Sequence, residues 1–330
     1  MSNRDKIALI LAGGQIILKS PLPEQDTVPI EAEEILSLLP EKTQEALFFV
    51  NWSRQPISHY TLRMCGDLIQ LAGRQIEEGS SGVVMTCGTQ CLTELAYFAD
   101  LVWSYPQPLI LISSINYANS PGSETALSIS QAVSAAGSQA CWGQGVLVCA
   151  QDALYAAREV SLISNYSRAG CMALLYGPVA EFFEPRGCLS LRRSPHRGKV
   201  MDIKTIPARH VEILSASLGG GDVVFSALVE HAEELDGLVI SAFGGGDIPP
   251  SWVPLLRKIM RVGKPIVLAS RCAMGRVQAG TYFEGSAKHL LEMDLFSAGT
   301  LTPLQARIKL AVGLGAEISG QALREYMLDE

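Results

Sequence analysis

Apolar residues along this chain arrive in short unbroken runs, each followed by a stretch where they recur every three or four positions. The runs at 7–11, 46–50, 82–86, 108–115 and 145–149 have the length of strands without polar alternation, the pattern of strands covered on both faces. Between them, 31–39, 61–77, 90–100 and 124–136 carry helical spacing; in the third, Leu92, Leu95, Ala96 and Ala99 share one face. This β-then-α order predicts a mainly parallel sheet with helices on both sides. The rhythm weakens after Gly170 into short alternating pieces. It resumes in a smaller unit with strands at 211–216, 237–242 and 265–269, helices at 222–233 and 252–262, and a last helix from Thr302. The predicted fold class is α/β, with a large N-terminal mainly parallel domain over 1–192, a linker at 193–210 and a smaller C-terminal α/β domain over 211–330.

Composition narrows the range of functions. The chain has 330 residues, 48% of them hydrophobic and 18% charged, which suits one large or two ordinary globular domains. A formal net charge of -7 leaves no Lys/Arg field with which to displace counterions from phosphates, so nucleic acid is excluded as a bulk partner. The basic cluster at 191–199 reads as a solvated linker. The first residues carry charge and no apolar signal core, and no run approaches the roughly 18 apolar residues of a membrane span, so a cytoplasmic protein without membrane contact is expected. Eight scattered cysteines and five histidines show no metal-ligand spacing; reduced thiols, no metal and no cofactor are expected. Two turns, 218–222 and 243–247, share the pattern Gly-Gly-Gly-Asp. Each Asp is read as the N-cap of the following helix, a charge that would repel phosphate.

The candidate chemistry centres on 82–100, where an apolar strand runs into Thr86-Cys87-Gly88-Thr89-Gln90-Cys91 and then a helix. Such a turn presents Thr89 at the carboxyl edge of a parallel sheet, where α/β proteins place reacting groups. Cys87 and Cys91 flank it as alternative nucleophiles, with Cys91 placed where a helix amino terminus lowers a thiol pKa.

This stretch resembles the second signature of the bacterial-type asparaginase and glutaminase family, Thr-His-Gly-Thr-Asp-Thr. Ile10-Leu11-Ala12-Gly13-Gly14-Gln15-Ile16 is similar to that family's first signature, and 145–161, 242–249, 267–271 and 298–307 resemble further family segments in the same order. The resemblance implies the two-domain asparaginase fold, amide hydrolysis of a small-molecule substrate, and a homodimer or homotetramer with its pocket near a subunit interface. It also implies roles. Gln15 stands where the family has its principal threonine nucleophile, Gln90 where it has an aspartate, and Leu162 where it has a lysine. No tyrosine lies between Gln15 and Tyr60 to match the family's lid, and no lysine between Lys42 and Lys199. Ser53 or Arg54 matches the substrate-carboxylate clamp, Ser114 a backbone contact to substrate, and Asp247 and Glu284 residues that face a neighbouring subunit's pocket. Glu124, beside a helix start, is read as structural. Three readings follow. The first is a diverged enzyme acting on an amide, imide or acyl group in specialised metabolism, with Thr89 as the surviving hydroxyl. The second is a non-catalytic binding or assembly protein, and the third a conventional asparaginase.

Overall fold

The computed structural model describes residues 5–20, 28–53, 55–168, 170–183 and 187–328. The chain divides into two compact units, Met1–Pro195 with Asp202–Lys204, and His196–Met201 with Thr205–Glu330.

The first unit is built on an eight-stranded sheet. Its strands are β1 (Ile7–Leu11), β2 (Leu47–Asn51), β3 (Gly82–Thr86), β4 (Leu109–Ile112), β5 (Val146–Ala150), β6 (Ala153–Ala156), β7 (Ala180–Phe183) and β8 (Gly187–Ser190). They lie in the order β8-β7-β6-β5-β4-β3-β1-β2. The five from β2 to β5 are mutually parallel, with Leu9 opposite Phe49 on one side and Val84 on the other, while β6, β7 and β8 continue antiparallel. β1, β3 and β4 are buried along their whole length, as their unbroken apolar runs require.

Helices α1 (Ala32–Leu38), α2 (Glu41–Ala46), α3 (Leu62–Glu77), α4 (Leu92–Val102) and α5 (Thr125–Ala136) connect the strands. Thr61 caps α3 by accepting a hydrogen bond from the Met64 N–H (3.2 Å), and α3 turns Leu68, Ile69, Ala72 and Ile76 inward. On one sheet face Ile129, Ala132, Val133 and Ala136 of α5 join Leu9, Val84, Ile110 and Leu147 in a single apolar cluster. Asp100, buried within α4, accepts from the Val146 N–H at 3.0 Å and so ties that helix to the start of β5.

The sheet changes direction at β1. The chain passes from β1 to β2 on one side and then crosses to β3 on the other, so the turns leaving β1 and β3 lie side by side at a switch in strand order, where α/β sheets gather reacting groups.

The second unit has four parallel strands in sequential order, β9 (Val211–Ser215), β10 (Gly237–Ala242), β11 (Ile266–Ser270) and β12 (Phe296–Ser297). Helices α6 (Asp222–Glu230), α7 (Val253–Arg261), α8 (Ala287–Glu292), α9 (Pro303–Gly315) and α10 (Gly320–Leu328) accompany them. Thr302 and Gln305 form a capping box at the start of α9. Phe225, Trp252, Leu256 and Leu268 anchor the core, with Phe225 edge-on to Trp252.

Two expectations need correction. The aspartates of the Gly-Gly-Gly-Asp turns do not cap the helices that follow them. Gly221 occupies the N-cap of α6, with Asp222 one residue inside accepting from the Ser251 hydroxyl, and Asp247 accepts instead from the Ala287 N–H of α8 (3.0 Å). Nor is the cluster at 191–199 uniformly solvated. Arg192 pairs with Glu159, whose side chain is 5% exposed, and donates to the Gly177 carbonyl at 2.8 Å. Sequence distance hid this partner.

Candidate active site

The turn after β1 is held by a close backbone approach and by hydroxyls that reach its main chain from elsewhere in the unit. The Ala12 N–H donates to the buried Thr86 hydroxyl (3.0 Å), so the first residue beyond β1 is fixed to the last residue of β3. Gly14 has φ +93°, and a Cβ built there would stand 2.3 Å from the Cys87 carbonyl oxygen. The two signature turns therefore touch backbone to backbone. Gln15 begins a one-turn 3-10 helix, Gln15–Ile17, and is half-buried. The Thr125 hydroxyl at the head of α5 donates to the Ile16 carbonyl (2.9 Å), and the Ala118 N–H donates to the Leu18 carbonyl (2.8 Å).

Thr89 opens a second 3-10 turn, Thr89–Cys91, directly before α4. It is half-buried, and its hydroxyl donates to the Ser114 carbonyl at 3.2 Å. Ser114 is buried and turns its own hydroxyl onto the Asn116 backbone. Gln90 is exposed.

The flanking thiols do not have the expected character. Burial drives the Cys87 thiol well above its usual range, and its Sγ donates to the Gly88 carbonyl. Cys91 was expected to be depressed by the helix amino terminus, yet burial and then the Glu94 carboxylate push it up. Both are thiols at neutral pH.

Of the expected carboxylate clamp, Ser53 is half-buried and its Oγ accepts from the Gln55 N–H (3.1 Å); Arg54 lies outside the described residues. Tyr60 was not singled out as a site residue. Its hydroxyl donates to the Ala12 carbonyl (3.1 Å), which puts a phenol against the first signature turn. Burial raises its pKa, opposed by the nearby polar groups of Ser53 and Trp52. The only sequence signal was its place just ahead of the α3 cap, which says nothing about a partner 48 residues away.

Thr89 and Ser114 also line a polar crevice of about 40 Å³ with Glu124, Gln151, Arg168 and Cys171. That is room for about one water. Leu162 sits in a two-residue antiparallel ribbon opposite Cys171, an aliphatic side chain with no proton to exchange. The cation at this crevice is Arg168. Its Nη2 donates to the Gly122 carbonyl (2.6 Å) and its Nε lies 3.8 Å from Glu124 Oε1. Sequence reasoning missed it because its reach depends on how the 163–171 loop folds back.

Burial raises the Glu124 carboxyl pKa; Arg168 opposes the shift and Asp152 adds to it. A carboxyl raised in the folded state contributes stability that is complete below its ordinary value of 4.5 and is lost as pH rises through the raised value. Denaturant midpoints of the protein and of Glu124→Gln, followed from pH 4 to 7, should show the wild-type advantage shrinking as pH rises. An advantage that grows with pH would mean that Arg168 outweighs burial.

In the second unit, Asp247 is committed to the Ala287 N–H and Glu284 is exposed. A larger recess of about 560 Å³ opens beside Asp236, Pro265 and Phe296, at the amino ends of the strands. Its charged groups are already engaged, Asp236 accepting from the His210 N–H, Lys264 donating to the Glu233 carbonyl and Asp294 pairing with Arg324. This edge is opposite the one where α/β sheets gather reacting groups. Among the described residues no group of three His, Cys, Asp or Glu is arranged to hold a metal, and no helix is long and apolar enough to cross a membrane.

The arrangement can be compared with known proteins. Residues 6–195 match the family model for the asparaginase N-terminal domain, and residues 210–327 the model for the glutaminase/asparaginase C-terminal domain. An L-asparaginase of Bacillus licheniformis is 26% identical over 96% of this chain and 97% of its own length. A glutaminase-asparaginase of Pseudomonas fluorescens biotype A is 29% identical over 75% of this chain and 68% of its own. In three dimensions, the crystal structure of a probable cytoplasmic L-asparaginase from Campylobacter jejuni superposes with a TM-score of 0.87, covering 99% of this chain and 100% of that one at 21% identity, a likeness of fold. Two family models matched in order over most of the chain, on a fold whose β1 and β3 turns meet at the switch in strand order, place this protein in the asparaginase/glutaminase family.

Proposed function

We propose that this protein is a diverged hydrolase of the asparaginase family that acts on the amide, imide or acyl group of a small substrate other than free asparagine. The observation that carries the reading is the half-buried Thr89 hydroxyl, oriented by the Ser114 carbonyl on the wall of a crevice shared with Glu124 and Arg168.

A hydroxyl attacks a carbonyl only if its proton has somewhere to go. The Ser114 carbonyl orients that proton but cannot remove it. Glu124, with its raised pKa, is the crevice group suited to take it, directly or through one water, and Arg168 supplies positive charge for an anionic substrate or intermediate. Thr89 would bond to the acyl carbon, the leaving amine would depart with the proton, and water would release the acid.

Gln15, Gln90 and Leu162 in place of the family's threonine, aspartate and lysine remove the machinery for a free α-amino acid. A neutral or N-acylated substrate loses nothing by these changes. In this reading no cofactor is required, and Asp247 and Glu284 complete the pocket of a neighbouring copy in a homodimer or homotetramer.

The test is ammonia or amine release from a panel of N-acyl amides and cyclic imides, with asparagine and glutamine as the conventional arm. Thr89→Ala should lower kcat about 10³-fold on the active substrate, while Thr89→Ser retains most of it. Unchanged turnover in Thr89→Ala would remove Thr89 from the chemistry.

A non-catalytic binding protein is the second reading, favoured by the commitment of the Thr89 hydroxyl to a carbonyl and by a crevice of only about 40 Å³. It predicts members of the same panel that raise Tm without being consumed.

A further inference from the structure

Thr89 and Arg168 hang on one loop. The Thr89 hydroxyl donates to the Ser114 carbonyl (3.2 Å), and the Ser114 hydroxyl exchanges hydrogen bonds with the Asn116 backbone at 3.0 Å. The Asn116 side-chain amide donates to the Gly122 carbonyl (3.2 Å), which also accepts from Arg168 Nη2 at 2.6 Å. The segment 114–122 therefore sets the separation of hydroxyl and guanidinium. Gly122 permits the approach, because at its φ of +76° a Cβ would stand 2.5 Å from Arg168 Nη2.

The guanidinium keeps most of its donors. Among the described residues, only one of its N–H groups is bonded to a protein oxygen, and the 3.8 Å from Nε to Glu124 Oε1 is too long for a hydrogen bond. The Arg168 side chain is 53% exposed, so a ligand can reach it from solvent. Of the described residues that line the crevice, Arg168 is the one cation and Glu124 the one carboxyl, while Ser113, Ser128 and Gln151 are neutral. Nothing else there could receive an ammonium group, and Gln90 is uncharged.

We infer that Arg168 is the carboxylate clamp of this site and that its ligand is the monoamide of a dicarboxylic acid without an ammonium group, its free carboxylate on Arg168 and its amide at Thr89. As a substrate class this rests on the hydrolase reading of Thr89; as a binding site it does not. A carboxylate matches the planar guanidinium fork bidentately, where a carboxamide of the same shape offers one acceptor and no charge. An ammonium group near the same cation would be repelled. Hydrolysis adds water across the C–N bond and gives ammonia and the dicarboxylic acid, whose original carboxylate keeps its place on Arg168.

The experiment uses the full chain with succinamate and glutaramate, their neutral isosteres succinamide and glutaramide, and asparagine. The better monoamide should exceed its diamide in kcat/KM by roughly 10–100-fold, the worth of a charge-assisted hydrogen bond, and should exceed asparagine as well. Arg168→Gln should bring the ratio of monoamide to diamide to about one, chiefly through the KM of the monoamide, and Arg168→Lys should keep part of it. Gly122→Ala should also lower the ratio, because its Cβ displaces the guanidinium while the charge stays on the protein. A ratio near one in the wild type, a ratio that survives Arg168→Gln, or a preference for asparagine would overturn the inference. Where no amide is hydrolysed, calorimetry with succinate and glutarate decides. Binding that is lost in Arg168→Gln would then refute the hydrolase reading and leave the carboxylate site standing; no binding, or binding indifferent to Arg168→Gln, would overturn the site as well.

Discussion

Gly14→Ala is expected to destabilise the first unit by about 4 kcal/mol or more, at the extreme end of single substitutions. Two independent causes combine. The backbone at Gly14 has φ +93°, which a side chain tolerates at a cost of about 1–2 kcal/mol. The new Cβ would also meet the Cys87 carbonyl oxygen at 2.3 Å and its carbon at 2.6 Å. Neither atom can rotate away, because Cys87 follows β3 directly and its N–H is bonded to the Ile112 carbonyl. Relief requires the two turns to part, which breaks the bond from Ala12 to Thr86. Gly143→Ala is the control, since Gly143 has φ +70° with nothing within 4 Å of its Cβ position. It should cost only about 1 kcal/mol in urea unfolding. Equal losses in the two variants would show that the turns separate freely.

Loss of the Arg192 side chain should have the next largest effect. Glu159 is 5% exposed on its side chain, and Arg192, at 29%, covers it while also donating to Gly177. Arg192→Ala strands a carboxylate away from water and should cost about 3 kcal/mol. Burying an ion pair is itself expensive, so removing both charges should recover much of this loss. In a double-mutant cycle, Arg192→Met with Glu159→Leu is expected to lie closer to wild type than Arg192→Ala does. A loss under about 1 kcal/mol for Arg192→Ala would mean that Glu159 finds water when its partner leaves.

The inner parallel strands and their helices were readable because burial on both faces writes an unbroken apolar run, and each intervening helix writes a period near four. Strand Gly82–Thr86 was predicted with its observed ends, and helix α3 began one residue after its predicted start because Thr61 is its cap. The antiparallel end of the sheet was not readable in that way. β7 and β8 are four residues each, with only Ala180 fully buried, so they leave no run to recognise. α10 was absorbed into the single last helix, although Gly320 with φ +56° begins a separate one.

At the site, sequence reasoning found the residues that sit in the signature turns, because a turn between strand and helix has a local pattern. It did not find Tyr60 or Arg168, each of which arrives from a loop whose path is decided by tertiary contacts. It misjudged Cys91 by weighing the helix terminus above the neighbouring Glu94 and the loss of water around the thiol.

The contact between Gly14 and Cys87 has an evolutionary consequence. The bonds and close approach described for the two turns are made by main-chain atoms and by the hydroxyls of Tyr60, Thr86 and Thr125, none of which belongs to the side chains at 15 or 90. Exchanging those side chains singly leaves these contacts in place. A lineage built on this frame can abandon one chemistry and try another without passing through an unstable ancestor.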